Sequence, residues 1–172
     1  MLPAEFPTLF SQEGRKVTTK AIPDGYHAVT PYLIVKGALG AIEFYKKAFG
    51  ATEVMRLDSP GGRVGHAEIK IGDSPVMLAD ESPDMGYRSP HSLGGAGVSM
   101  LVYVEHVDDV FSRAVSAGAK ALRPVQNQFY GDRSGTLEDP FGHVWTLSTH
   151  VEDVSPEEMR KRSEAFLKSK GG

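Results

Sequence analysis

The chain has 172 residues, 40% of them hydrophobic, and 19 Lys plus Arg against 22 Asp plus Glu leave a formal charge of −3. This is enough apolar material for one packed core, and the mild acidity gives no electrostatic footprint for nucleic acid or an anionic membrane. With no cysteine there are no disulfides, thiolate metal sites or cysteine nucleophile; no basic-then-apolar leader and no membrane-spanning apolar run is seen, so a cytoplasmic protein is expected.

Residues 1–20 carry Leu2, Phe6, Leu9 and Phe10 without a sustained period and are expected to form an arm, either a tail or a segment laid on a partner. From 21 to 80 the pattern predicts a first β–α–β–β–β module. A strand over 27–35 precedes a helix over 38–49, whose Ala41, Ile42, Tyr45, Ala48 and Phe49 fall at helical spacing and which Gly50 stops. Strands follow at 52–57, 64–71 and 75–80, with turns at 59–62 and 72–73. A Gly/Pro/Ser-rich linker is expected over 81–96. The order then repeats over 97–150: a strand at 98–104, a helix at 107–117 closed by Gly118-Ala119, and strands at 120–125, 134–138 and 144–149. Asp139-Pro140-Phe141-Gly142 reads as a tight turn whose aspartate accepts backbone amides. In the tail, 151–172, Ser155-Pro156-Glu157-Glu158 opens a helix to about 168, with an N-cap serine and first-turn proline. The fold class is therefore α+β: two tandem βαβββ modules forming a cupped mixed β-sheet with helices on the outside.

Alternate strand residues fall into two sets. Leu33, Val35, Ala67, Ile69, Ile71, Met77, Ala79, Met100, Val102, Val104, Trp145 and Leu147 are apolar and are expected to face the helices. Thr30, Tyr32, Ile34, His66, Glu68, Lys70, Leu78, Asp80, Ser99, Leu101, Tyr103, Thr136, Glu138, Thr146 and Ser148 are mixed, which suits the lining of a ligand cavity.

Within the mixed set, His66 and Glu68 share one strand face. They read as a general base or ligand donor tuned by a carboxylate, or as a satisfied polar pair. Tyr32 and Tyr103 match on the first strands of the two modules, placed to stack on a planar ligand or simply to fill the cavity. Tyr130 precedes a strand, and Arg133 is a candidate to grip an anionic group or to form a structural ion pair. Glu138 is a second candidate base. His143 and His150 flank the last strand and are expected at the surface; His27, His91 and His106 show no partner pattern.

The segments GYHAVTPYLIV, AIEFYKKAFGA, HAEIKIGDSPVMLADE, YGDRSGTLEDPFGHVW and HVEDVSPEEM, in this order on a repeated scaffold, resemble the vicinal-oxygen-chelate superfamily of glyoxalases, bleomycin-resistance proteins and dioxygenases, within its PhnB-like, glyoxalase-related branch. The resemblance covers about residues 20–160. It implies four strand positions that hold a divalent metal in metal-using members, and these fall on Thr30, Leu78, Ser99 and Thr146. None is a strong ligand, so no cofactor is expected. The alternative is a displaced divalent metal on His66, Glu68 and Glu138. The resemblance also implies three functions: a small-molecule binding protein lacking the usual metal ligands, a lyase or isomerase using His66 or Glu138 as base, or a non-catalytic scaffold or regulatory dimer. The expected partners are a small-molecule ligand and a second copy in a homodimer, with neither nucleic acid nor membrane.

Overall fold

The computed structural model describes residues 19–170, so most of the expected N-terminal arm lies outside the described residues. The first module runs β1 (Tyr32–Val35), α1 (Ala38–Phe49), β2 (Thr52–Ser59), β3 (Arg63–Ile71) and β4 (Ser74–Asp80). After the short helix α2 (Pro90–Leu93) come β5 (Ser99–Tyr103), α3 (Val107–Ser116), β6 (Lys120–Asn127), β7 (Asp132–Glu138) and β8 (Val144–His150), then α4 (Pro156–Lys170). The strands form two four-stranded sheets of the same order, β1-β4-β3-β2 and β5-β8-β7-β6. In each, the first strand pairs parallel with the last and the other pairs are antiparallel. The α+β reading and the duplicated module are thus both present. No described helix is long and apolar enough to cross a membrane.

The helices form where the sequence period places them. α1 buries Ala38, Ala41, Ile42, Phe44, Tyr45 and Ala48, and Gly50, at φ 69°, closes it in the left-handed conformation that glycine adopts without strain. Its start has no cap of its own. Instead the Asp80 carboxylate, at the end of β4, accepts the Gly37 amide at 2.8 Å and the Ala38 amide at 2.9 Å, and takes the Val64 amide of β3 at 2.8 Å. A side chain three elements further along the chain thus satisfies donors that the helix leaves open.

Strand β1 is shorter than expected. Residues 27–31 are irregular, and Pro31 has no amide to give to a ladder. The face assignment of β4 also needs correction. Leu33 pairs in register with Leu78, and Ala67 pairs with Leu78 from the other side. Leu78 is therefore fully buried in the helix-facing core, while Met77 and Ala79 turn to the concave face and Asp80 to the helix side. The apolar run Val76-Met77-Leu78-Ala79 has no alternation from which to read the face.

α1 and α3 cover the backs of their own sheets and also touch each other, so both modules share one core. At the junction sits Asp139, 3% exposed. Its carboxylate accepts the Tyr45 hydroxyl of α1 at 2.7 Å, the Trp145 indole N–H at 2.8 Å, and the amides of Phe141 at 2.9 Å and His143 at 3.0 Å. The expected tight turn is there, with a cross-module bond in addition. Trp145, expected in the core, lies 5.5 Å from the Tyr45 ring and 5.0 Å from that of Phe49. His143, expected at the surface, is instead buried and lies 3.2 Å from the Ile34 carbonyl of the first module through Nε2. A carbonyl only accepts, so that nitrogen carries the proton, and burial pushes the imidazole pKa down.

The junction predicts a graded response. Asp139→Ala strands four donors and is expected to cost about 3–5 kcal/mol, whereas Tyr45→Phe removes one donor and costs about 1.5–3 kcal/mol. Urea denaturation of both variants checks the order.

Candidate functional site

The concave face of the first sheet gathers Tyr32, His66 and Glu68. Tyr32 and Glu68 both pair in register with Met77, from its two sides, and His66 lies two residues before Glu68 on the same face. The side chains form one hydrogen-bonded line. Tyr26 donates its hydroxyl to Glu68 Oε2, Glu68 Oε1 lies 3.1 Å from His66 Nε2, and His66 Nδ1 lies 2.9 Å from the Tyr32 hydroxyl. The Tyr26 hydroxyl, aided by His66 and against the effect of burial, lowers the pKa of the Glu68 carboxyl. An ionised Glu68 only accepts, which puts the imidazole proton on Nε2 and leaves Nδ1 to accept from Tyr32. Burial first, then Tyr87 and Glu68, raise the pKa of the Tyr32 phenol and keep it protonated. Tyr26 was not among the sequence candidates; it precedes the first strand in a segment with no period to read.

Tyr32 also belongs to a cavity of about 400 Å³, walled by Ile34, Val64, Gly65, Ala79, Met85 and Tyr87, with Ser59, Arg63, Asp80 and Ser82 at its polar positions. Its roof comes from the expected linker. Residues 82–87 form a closed loop in which the Ser82 amide donates to the Tyr87 carbonyl at 2.8 Å and the Tyr87 amide to the Ser82 carbonyl at 3.1 Å, around a helical turn at Pro83–Met85. The next segment is anchored by Glu81, whose Oε2 accepts from the Ser92 hydroxyl at 2.7 Å and from the Ser89 hydroxyl at 2.8 Å and amide at 3.0 Å. These bonds, the Ser92 hydroxyl first, bring the Glu81 carboxyl down to about 2. Composition identified a linker but not that it folds back over β1 and β4.

A second polar group lies on the second sheet. Asp132, 4% exposed, accepts the Tyr103 hydroxyl and the Ser148 hydroxyl, each at 2.9 Å, and its other oxygen lies 2.8 Å from His150 Nδ1. Burial pushes this carboxyl up, but His150, Ser148 and Tyr103 together outweigh it and leave the pKa lowered. His150 is held up in turn by Asp132 and by Asp153, 3.0 Å from Nε2. Tyr130 lies close by, its hydroxyl 3.4 Å from Ser134 Oγ. Just after it, Gly131 at φ +96° sits against the Glu152 carbonyl, where a side chain would collide.

Two expected candidates join neither group. Arg133 lies on the opposite face of β7, and Asp108 at the start of α3 takes its guanidinium in a two-pronged pair at 2.7 and 2.6 Å, with Asn127 at 3.1 Å. Glu138 lies at the other end of β7 from Asp132, in register with Lys120 and Val144 and on a different sheet from His66 and Glu68.

The residues at the implied metal positions do not fit a divalent ion. Thr30, Ser99 and Thr146 offer neutral hydroxyls, with Thr146 3.2 Å from Thr136. Leu78 points into the core, and β4 turns only a thioether and a methyl to the concave side. Among the described residues no group of three or more His, Asp or Glu is placed to hold a metal, so the displaced set of His66, Glu68 and Glu138 is not assembled either.

Comparison with known proteins agrees with this architecture. Residues 26–147 match the family model for the Glyoxalase/Bleomycin resistance protein/Dioxygenase superfamily. The uncharacterized protein Mb0911c of Mycobacterium bovis is 43% identical over 136 residues, covering 77% of this chain and 90% of that protein. Among solved structures, TioX from Micromonospora sp. ML1 superposes with a TM-score of 0.57 at 23% identity, over 75% of this chain and 100% of that one. A PhnB protein from Bacillus cereus gives 0.55 at 24% identity, over 72% and 99%. The match spans both copies of a β–α–β–β–β sheet built twice, and the chain belongs to the glyoxalase/bleomycin resistance protein/dioxygenase superfamily.

Proposed function

We propose that the protein binds a small organic molecule, without a metal, in the cavity between the first sheet and residues 82–87. The observation that carries this reading is an apolar space of about 400 Å³ whose wall includes Tyr32, the end of the Tyr26–Glu68–His66–Tyr32 line. Apolar walls with a few fixed polar groups are what a small-molecule site requires. Through its hydroxyl Tyr32 offers a ligand an acceptor oxygen, and His66 fixes the direction of that oxygen's proton.

The same line favours a second reading, a lyase or isomerase. His66 Nδ1 is unprotonated, Glu68 holds the opposite nitrogen, and a base so oriented draws a proton through Tyr32. Turnover of a bound ligand that is lost in His66→Ala and retained in Ser99→Ala distinguishes catalysis from binding.

We further propose that the working unit is a homodimer. The two sheets do not pair with each other among the described residues, and their concave faces leave Tyr32, Leu101 and Tyr103 exposed. A second copy is the natural cover for such open faces. TioX and the PhnB protein share this fold, and the superfamily takes in bleomycin resistance proteins, which supports a binding role.

Calorimetric titration of a ligand found in a small-molecule screen checks the site. Ala79→Phe is expected to abolish binding with an unchanged circular dichroism spectrum. His66→Ala is expected to weaken it about fivefold, and Ser99→Ala to leave it unchanged. A chelator should alter neither affinity nor melting temperature; a stoichiometric transition metal kept through purification, or loss of binding in chelator, overturns the metal-free reading. Sedimentation at micromolar concentration should give twice the chain mass of 18.6 kDa, and a monomer refutes the dimer.

The anchor of the roof carries a pH signature. Glu81 is held at about 2 against an ordinary 4.5, so its contribution is present above pH 4.5 and is lost as pH falls toward 2. The stability difference between the native chain and Glu81→Gln, measured by urea denaturation, should shrink across that window and stay constant above it.

A further inference from the structure

We infer that the ligand of this cavity is a monoanion, an apolar body ending in one carboxylate that Arg63 receives at the mouth. The inference rests on the reading of the cavity as the binding site and goes on to name the ligand's class. It follows from the charges around the cavity. The walls are apolar or phenolic, and the lining contains one carboxylate, Asp80, and one cation, Arg63. Asp80 is already occupied: one oxygen accepts the amides of Gly37 and Ala38 and the other that of Val64. The neighbouring carboxylate, Glu81, turns to Ser89 and Ser92. Both keep their charge but have their oxygens held by other donors, and Arg63 forms no ion pair with either or with any other carboxylate among the described residues.

Arg63 is nonetheless held in place. It opens β3, opposite Ser59 in register, and its Nη2 donates to the Glu81 carbonyl oxygen at the base of the roof. A neutral carbonyl fixes the guanidinium without cancelling its charge, and leaves the remaining N–H groups of a planar fork that matches a carboxylate. The groove adjoining the mouth carries Lys36 beside Arg63 and also Asp80 and Glu81, with Lys36 acting on the Glu81 carboxylate, so Arg63 is the cation left for a ligand. The cavity wall also carries the phenol side chains of Tyr32 and Tyr87. A ligand seated in the cavity meets apolar surface along its length and the unpaired guanidinium of Arg63 at the mouth.

The test uses matched pairs that differ only in charge: octanoate with octanamide and 2-naphthoate with 2-naphthamide, titrated calorimetrically into the full chain. At least one acid is expected to bind about tenfold more tightly than its amide. Arg63→Gln should remove that preference by weakening the acid and leaving the amide unchanged, while Arg63→Lys keeps part of it. Because Arg63 is exposed, folding of the variants is checked by their circular dichroism and melting temperature. If acid and amide bind equally to the native chain, or if Arg63→Gln weakens both alike, the inference is overturned. In that event, binding that Ala79→Phe still blocks leaves the cavity as the site and removes only the carboxylate. If neither member of either pair binds, or Ala79→Phe has no effect, the cavity reading falls and the inference with it.

Discussion

The structure depends on one buried carboxylate. Asp139 is held by two amides of its own turn, by the Trp145 indole of its own sheet and by the Tyr45 hydroxyl of the other module. A buried acceptor surrounded by four donors is stable only with all of them in place. This single residue therefore fixes the turn into β8, the rotamer of the largest core side chain and the docking of α1. Its phenol partner is pushed well up in pKa by burial and by Asp139, which keeps Tyr45 a donor.

The same device recurs wherever two elements must be aligned. Asp80 ties the start of α1 to β3, Glu81 ties the roof segment to the end of β4, and Asp132 ties Tyr103 of β5 to Ser148 and His150 of β8. Asp80 takes backbone amides that the start of α1 and β3 leave open, Asp132 takes side-chain donors, and Glu81 takes both kinds. The first concave face presents phenol hydroxyls, the His66–Glu68 pair and, at the cavity mouth, a guanidinium held by a carbonyl. Geometry that stabilises the fold thus also sets the electrostatic character of the site.

Much of this was legible in the residues. The spacing in 38–49 and 107–117, each closed by Gly-Ala, gave both helices nearly to the residue, and the repeated order gave the two sheets. His66 and Glu68 were legible as a pair because strand alternation puts them on one face, whereas Tyr32 was read with Tyr103 and joins the pair only through the β1–β4–β3 pairing. Leu78 was misplaced because an apolar run hides its period. Arg133 stayed open between an anion grip and an ion pair because sequence does not reveal that Asp108, 25 positions earlier, meets it in space. The roof was read as a linker because turn-rich composition signals irregular backbone and not where that backbone lies.

The sequence by itself determined the duplicated α+β module, the helix-facing core outside β4, the structural role of the Asp139 turn and the polar line on β3. These follow from local periodicity, turn chemistry and strand alternation, which act over a few residues. Only the tertiary structure decided which donors each carboxylate takes, that Tyr26 completes the line to Tyr32, and that Ser82, Met85 and Tyr87 share one cavity wall with Ile34 and Ala79. Those outcomes depend on side chains brought together from distant positions by packing, and hydrogen-bond satisfaction in a core is settled by where donors arrive in space, not by their order along the chain.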